Sequence, residues 1–148
     1  MELDNILDEE LISIEADYKN KEETLKALVE LLNNADYIND SLEFLEAVYN
    51  REKEGVTGIG NLIAIPHGKS KSVSRPGIAI TTLKEKVEWE SLDDNGVRIV
   101  FLIAVGTNDS KDHLTLLSQI ARKLGNDEIN SKLLNAQNKK QIIQILTS

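Results

Sequence analysis

Apolar positions change their spacing twice along the chain. Between Asn20 and Leu32 they fall at Leu25, Leu28, Val29, Leu31 and Leu32, the three-and-four rhythm of a helix with one apolar stripe. Asn20 can cap that helix, and Glu22 and Glu23 occupy its first turn, where the helix dipole favours negative charge. A second helix starts at Asn39 or Asp40, turns Leu42, Leu45, Val48 and Tyr49 inward, and ends near Glu54 before Gly55. Ahead of both, the short apolar run Leu11-Ile-Ser-Ile14 reads as a strand. After Glu54 the rhythm becomes that of strands and turns. A glycine-rich loop, Gly55-Val-Thr-Gly-Ile-Gly60, leads into an apolar run at 62–65 and then Pro66-His67-Gly68. Residues 77–83 and 97–105 read as buried strands, and the second is apolar on both faces, which places it centrally. Helical spacing then returns. A helix capped by Asp109 or Ser110 reaches Leu124 and stops at Gly125, a short turn follows at 127–134, and Asn138 begins a last helix with Ile142, Ile143, Ile145 and Leu146. This order predicts an α/β domain whose sheet is covered by helices on both faces.

Composition narrows the chemistry. The 148 residues suit one domain with one sizeable core, and the complete lack of cysteine excludes disulfides, thiolate nucleophiles and Cys-ligated metals. No apolar run approaches the roughly 18 residues that span a bilayer, and Met1-Glu-Leu-Asp-Asn-Ile has acidic residues where a secretion signal is basic, so the expectation is a cytoplasmic protein without direct membrane insertion. The net charge of −8 argues against a nucleic-acid partner, which needs concentrated basic surface. That charge is uneven: residues 1–54 carry 5 basic and 16 acidic side chains, while residues 55–148 carry 12 and 9. The acidic third is a solvated face or a docking surface. The remainder, slightly basic, holds Lys69, Lys71 and Arg75 near His67 in sequence.

The chain has two histidines. His67 stands between Pro66 and Gly68 at the carboxyl end of an expected strand, where α/β sheets present reactive groups, although an ordinary turn histidine fits the same context. His113 shares a helical arc with Leu116, Leu117, Ile120 and Leu124, so it points inward, as a core histidine or as a second group at the same sheet edge. Phosphate-loop and dinucleotide spacings fail: Asn61-Leu62 stand where Gly55–Gly60 would need Lys-Ser/Thr, and Gly58-Ile-Gly60 precedes its strand. No serine-hydrolase elbow or short metal-ligand spacing is present, so no metal and no cofactor is expected. A histidine nucleophile for phosphoryl transfer remains. It needs an arginine, a second histidine, a hydroxyl and loop N–H groups, and the sequence holds each type.

The stretch Arg51-Glu-Lys-Glu-Gly-Val-Thr-Gly-Ile-Gly-Asn-Leu-Ile-Ala-Ile-Pro-His67-Gly closely resembles the active-site signature of the enzyme IIA domains of the fructose/mannitol class in the bacterial phosphoenolpyruvate-dependent sugar phosphotransferase system. The similarity continues through Phe101-Leu-Ile-Ala-Val and Asp112-His113-Leu-Thr-Leu-Leu-Ser-Gln-Ile-Ala-Arg-Lys-Leu124 and covers nearly the whole chain. The resemblance implies a single domain, 1–148, with a mixed β-sheet between helices. It makes His67 the phosphorylated nucleophile, with Arg51 and His113 beside the phosphoryl group and Thr57 at a hydroxyl position that binds it. It implies a phosphotransferase that takes the group from the phosphohistidine of HPr and passes it to a IIB component for uptake of a sugar, fructose-like by Gly58-Ile-Gly-Asn61 and Val87-Glu-Trp89. The alternative is a regulatory module, as in nitrogen-related relatives, whose phosphorylation state controls a binding partner. Two positions depart from the family pattern: Val56 replaces a small hydroxyl residue, and Leu62 stands where fructose-type members often have Gly.

Overall fold

The computed structural model describes residues 3–108 and 110–148; the side chains of Ser110 and Asp112 fall outside that description, as does the cap expected at Asp109. After two short 3-10 turns, the element order is β1 (Ile12–Ala16), α1 (Lys21–Asn34), α2 (Ser41–Glu54), β2 (Gly58–Gly60), β3 (Ile63–Ala64), β4 (His67–Lys69), β5 (Gly77–Val87), β6 (Val97–Val105), α3 (Ser110–Leu124), α4 (Asp127–Leu134) and α5 (Lys139–Thr147). Among the described residues the six strands form one mixed sheet in the order β1-β5-β6-β3-β2, with β4 also paired to β6. β5 and β6 are antiparallel, while β1 runs parallel to β5, and β3 and β4 run parallel to β6. The α/β expectation, with helices on both faces of a mixed sheet, holds.

β3 and β4 lie end to end along the same side of β6. Ile63 and Ala64 pair with Ile99 and Val100, and His67, Gly68 and Lys69 pair with Ile103, Ala104 and Val105. Pro66 lies between them and has no N–H to offer the ladder, so the strand breaks there. Its carbonyl still accepts from Ile103 N at 3.0 Å, which keeps the two pieces in register. His67 therefore opens a strand segment, where the sequence suggested that it follows one.

Side chains alternate across β6. Ile99, Phe101, Ile103 and Val105 face a cluster that includes Leu116, Ile120 and Leu124 of α3, Leu133 of α4, and Ile142 and Leu146 of α5. Val100, Leu102 and Ala104 face Leu25, Leu28 and Leu32 of α1 and Phe44 and Val48 of α2. Side-chain caps set the helix starts: Asn20, Asp40, Asn126 and Asn138 accept from backbone N–H groups of Glu23, Glu43, Glu128 and Gln141 respectively. Asp40, not Asn39, is thus the cap of α2. Leu42 is 79% exposed, contrary to the inward position expected of it. It lies about 200° around the helix from Phe44, which with Val48 defines the buried stripe. The segment 127–134, expected as a turn, is a helix, and 58–60 within the expected glycine loop is a strand. No helix among the described residues is long and apolar enough to cross a membrane.

Candidate functional site

α2 lies unusually close to β4, and Gly68 is the reason. A Cβ on Gly68 would stand 2.8 Å from Phe44 Cε1 and 2.9 Å from Val48 Cγ2, inside any normal carbon contact. With only hydrogens at that position, the helix rests directly on the strand. Two side-chain links secure it at opposite ends. The Ser70 hydroxyl, just past β4, donates to the Glu43 carboxylate in the first turn of α2. In the last turn, Arg51 Nε donates to His67 Nε2 at 3.0 Å.

The second link determines how His67 carries its proton. A guanidinium has only donors, so Nε2 of the imidazole must accept. The ring hydrogen then sits on Nδ1, which lies 3.1 Å from the Ile65 carbonyl and donates to it. Nε2 is thereby left with its lone pair toward Arg51. Burial pushes the His67 pKa down; the Ile65 hydrogen bond pulls it up, the Arg51 charge pushes it down, and Glu52 and Glu54 pull it up. The net direction is down, so the ring is neutral near pH 7 and its Nε2 is nucleophilic.

His113, in the first turn of α3, meets His67 edge to face with ring centroids 4.7 Å apart. Burial lowers its pKa as well, with further lowering from the charges of His67, Lys69 and Arg51. The inward phase read for His113 is correct, and the group that it faces is the other histidine. Arg51 is also tied to the loop that follows, since its Nη1 donates to the Gly55 carbonyl at 3.2 Å.

Thr57 lies apart from this trio in its bonding. It is 4% exposed, and its hydroxyl donates to the Glu52 carboxylate, with Oε2 at 2.8 Å and Oε1 at 3.0 Å. Trp89 Nε1 lies 3.4 Å from the same hydroxyl oxygen. A hydroxyl has one hydrogen, and here Glu52 takes it. Lys21 completes the group, with Nζ 2.6 Å from Glu52 Oε1 and 5.1 Å from the Trp89 ring centroid. Arg75, grouped by sequence with the basic residues near His67, stacks on the Tyr37 ring at 3.9 Å and donates to the Ala35 carbonyl. The sequence pointed to no site role for Glu52 or Lys21, and to Trp89 only as part of a fructose-like stretch; the signal available was an acidic residue inside the signature stretch, directly after Arg51. Among the described residues, no group of three or more His, Cys, Asp or Glu side chains is placed to hold a metal ion.

The arrangement offers a neutral imidazole with an oriented lone pair, a guanidinium on that lone pair and a second imidazole alongside. These are the requirements for holding and moving a phosphoryl group. Comparison with known proteins agrees. Residues 5–148 match the family described as phosphoenolpyruvate-dependent sugar phosphotransferase system, EIIA 2. The chain is 37% identical to the fructose-specific EIIABC component of Bacillus subtilis over 99% of its own length, but it spans only 23% of that protein. It is 34% identical to the fructose-specific EIIA component of Haloferax volcanii, covering 93% of this chain and 89% of that one. The nitrogen regulatory protein of Klebsiella oxytoca is 30% identical, with 99% and 91% covered. Among solved structures, nitrogen regulatory protein IIA-Ntr from Neisseria meningitidis superposes with a TM-score of 0.92 at 27% identity, covering 98% of this chain and 99% of that one. The Escherichia coli mannitol IIA, solved in complex with phosphorylated mannitol IIB, shares the fold with a TM-score of 0.82 at 24% identity, covering 95% of this chain and 96% of that one. By family match and by fold, the chain belongs to the EIIA type 2 family, the phosphotransferase components of the phosphoenolpyruvate-dependent sugar phosphotransferase system.

Proposed function

We propose that this chain is a phosphoryl carrier in which residues 1–148 act as one unit and Nε2 of His67 is the atom that carries the group. The observation behind this reading is the pair of hydrogen bonds on His67, from Arg51 Nε to Nε2 and from Nδ1 to the Ile65 carbonyl. In the forward step, Nε2 attacks phosphorus of a phosphohistidine on HPr, and the donor's P–N bond breaks as the new one forms. The Nδ1 hydrogen stays in place, held by Ile65, so the phosphorylated ring is cationic and leaves as neutral imidazole in the next transfer. Arg51 moves its donors from the nitrogen lone pair to the phosphoryl oxygens, and His113 supplies a further donor. The acceptor is a IIB component, in line with the solved mannitol IIA–IIB complex. Fructose is the favoured sugar, by the names of the relatives in Bacillus subtilis and Haloferax volcanii, and the cytoplasm is the expected compartment.

A second reading has its own support, because the nitrogen regulatory proteins match over almost the full length of both chains. In it the same phosphohistidine controls a binding partner, and no sugar is taken up. Incubation with phosphoenolpyruvate, the general energy-coupling protein and HPr is expected to add one acid-labile, base-stable phosphoryl group, lost in His67→Ala. Normal labelling of His67→Ala would refute the assignment. Onward transfer to a IIB component separates transport from regulation, since a regulator retains its label when IIB is added.

A further inference from the structure

Thr57 is the point at which the two sides of the site are joined. Its backbone carbonyl accepts from Ile65 N at 2.9 Å, and the Ile65 carbonyl in turn receives the Nδ1 hydrogen of His67. Two residues before it, the Gly55 carbonyl holds Arg51 Nη1. The loop segment 55–57 therefore carries the anchor of the nucleophile at one end and that of the guanidinium at the other. What holds this segment is the Thr57 side chain, clasped by Glu52. The Glu52 side chain is only 8% exposed, and Lys21 of α1 pairs with it. A carboxylate removed from water to this extent is kept by specific partners: here a lysine ammonium, a hydroxyl, and the indole that shares that hydroxyl.

We propose that Glu52, paired with Lys21, is a positioning residue for phosphoryl transfer: through the Thr57 hydroxyl it fixes the loop that orients both Arg51 and His67. This rests on the phosphoryl-carrier reading of His67. It also gives Thr57 a different part from the one that the family resemblance suggests. A hydroxyl whose hydrogen goes to Glu52 has none to give to a phosphoryl oxygen, so Thr57 acts through the loop.

The two parts predict opposite results when Glu52 is removed. Were Thr57 a direct phosphoryl donor, Glu52→Ala would release its hydrogen and leave acceptance from HPr unchanged or faster. As a positioning residue, Glu52 is needed, and Glu52→Ala slows acceptance by about 10- to 100-fold, the usual consequence of displacing catalytic groups by a fraction of an ångström to an ångström. Thr57→Val, which keeps the shape and loses the hydroxyl, slows it similarly, and Thr57→Ser restores most of the rate. Combining Glu52→Ala with Thr57→Val costs little more than either alone, because both break one link. A ring-nitrogen NMR spectrum of His67 supplies a readout that general destabilisation would not move: the Nδ1–H tautomer dominates in the parent and in Thr57→Ser, and the Nε2–H form rises in Thr57→Val and Glu52→Ala. Parent-like rate and tautomer in a folded Glu52→Ala or Thr57→Val would overturn the proposal; if one of the two does not fold, the other decides. His67→Ala run alongside keeps the readings separate. Labelling of that variant would sink the carrier itself, whereas its silence together with normal Glu52→Ala and Thr57→Val would sink only the positioning link.

Discussion

The two faces of the sheet are packed with residues of different size. Toward α3, α4 and α5 the strands present Ile63, Ile78, Ile80, Ile99, Phe101 and Ile103, all buried. Toward α1 and α2 they present Ala64, Ala79 and Ala104 beside larger residues, and Gly68 meets Phe44 and Val48 directly. The bulky face holds most of the isoleucine in the core, and on either face each fully buried aliphatic side chain contributes about 1.5–3 kcal/mol. The small-residue face lets α2 settle close enough for a side chain of its last turn to reach the imidazole on β4. Both faces are packed cores, and the close helix–strand contact that brings Arg51 to His67 belongs to the small-residue one.

Substitutions on each face separate the two, beginning with the most costly. Phe101→Ala on the bulky face empties a fully buried aromatic site and is expected to cost about 3–5 kcal/mol in a denaturant titration, with phosphoryl acceptance per folded molecule little changed. Gly68→Ala on the close face forces a methyl group against Phe44 and Val48 and is expected to cost about 1–3 kcal/mol. It also moves α2 off β4 and slows acceptance by roughly 10- to 100-fold. Gly77→Ala is its control, since the added methyl meets Tyr37 Cδ2 at 2.6 Å, away from the α2–β4 contact. A comparable loss of stability with a normal rate is expected; a slowed rate would tie acceptance to packing in general and not to the α2–β4 contact.

The pH dependence comes next. Burial depresses both imidazoles below the ordinary value of about 6.5, so the unfolded chain binds protons there that the folded chain does not. Their contribution to stability is complete above the unfolded value and is lost as pH falls from it through the folded values. Thermal melts in mildly acidic buffer are expected to show this decline, with a shallower slope in His67→Gln. The acid limb of phosphoryl acceptance is expected below pH 6.5 for the same reason. The smallest effect belongs to neither face. Leu62 sits at φ +68 in the turn after β2, a left-handed conformation that strains a branched side chain, and Leu62→Gly is expected to raise the melting temperature by about 2–4 °C.

How legible all this was in the sequence depended on the scale of the feature. Long elements announced themselves: α1 and α5 through their Asn20 and Asn138 caps and apolar stripes, and β6 through an unbroken apolar run. The short strands β2 and β4 did not, because three residues set no period, and because Pro66 interrupts a line of strand that only the pairing with β6 makes continuous. Leu42 misled because its type suggested burial while its phase relative to Phe44 forbade it. At the site, local context left His67 and His113 undecided between packing and chemistry. The family signature connected them with Arg51, and the fold places the three side chains together. The Lys21–Glu52–Thr57–Trp89 group was invisible for a physical reason: its members come from α1, α2, the loop and the segment after β5, and only the folded chain makes them neighbours.

Nε2 of His67 faces Arg51 with its lone pair while Nδ1 is held by Ile65, and the proposed carrier role therefore calls for a phosphoryl bond at Nε2. Phosphorylating the nitrogen-15-labelled protein with phosphoenolpyruvate, the energy-coupling protein and HPr, then recording phosphorus-coupled nitrogen spectra of the imidazole, reads the position directly. Coupling is expected at Nε2 of His67, with the Nδ1 hydrogen retained. Coupling at Nδ1, or at either nitrogen of His113, would overturn the assignment of Nε2 as the carrier atom.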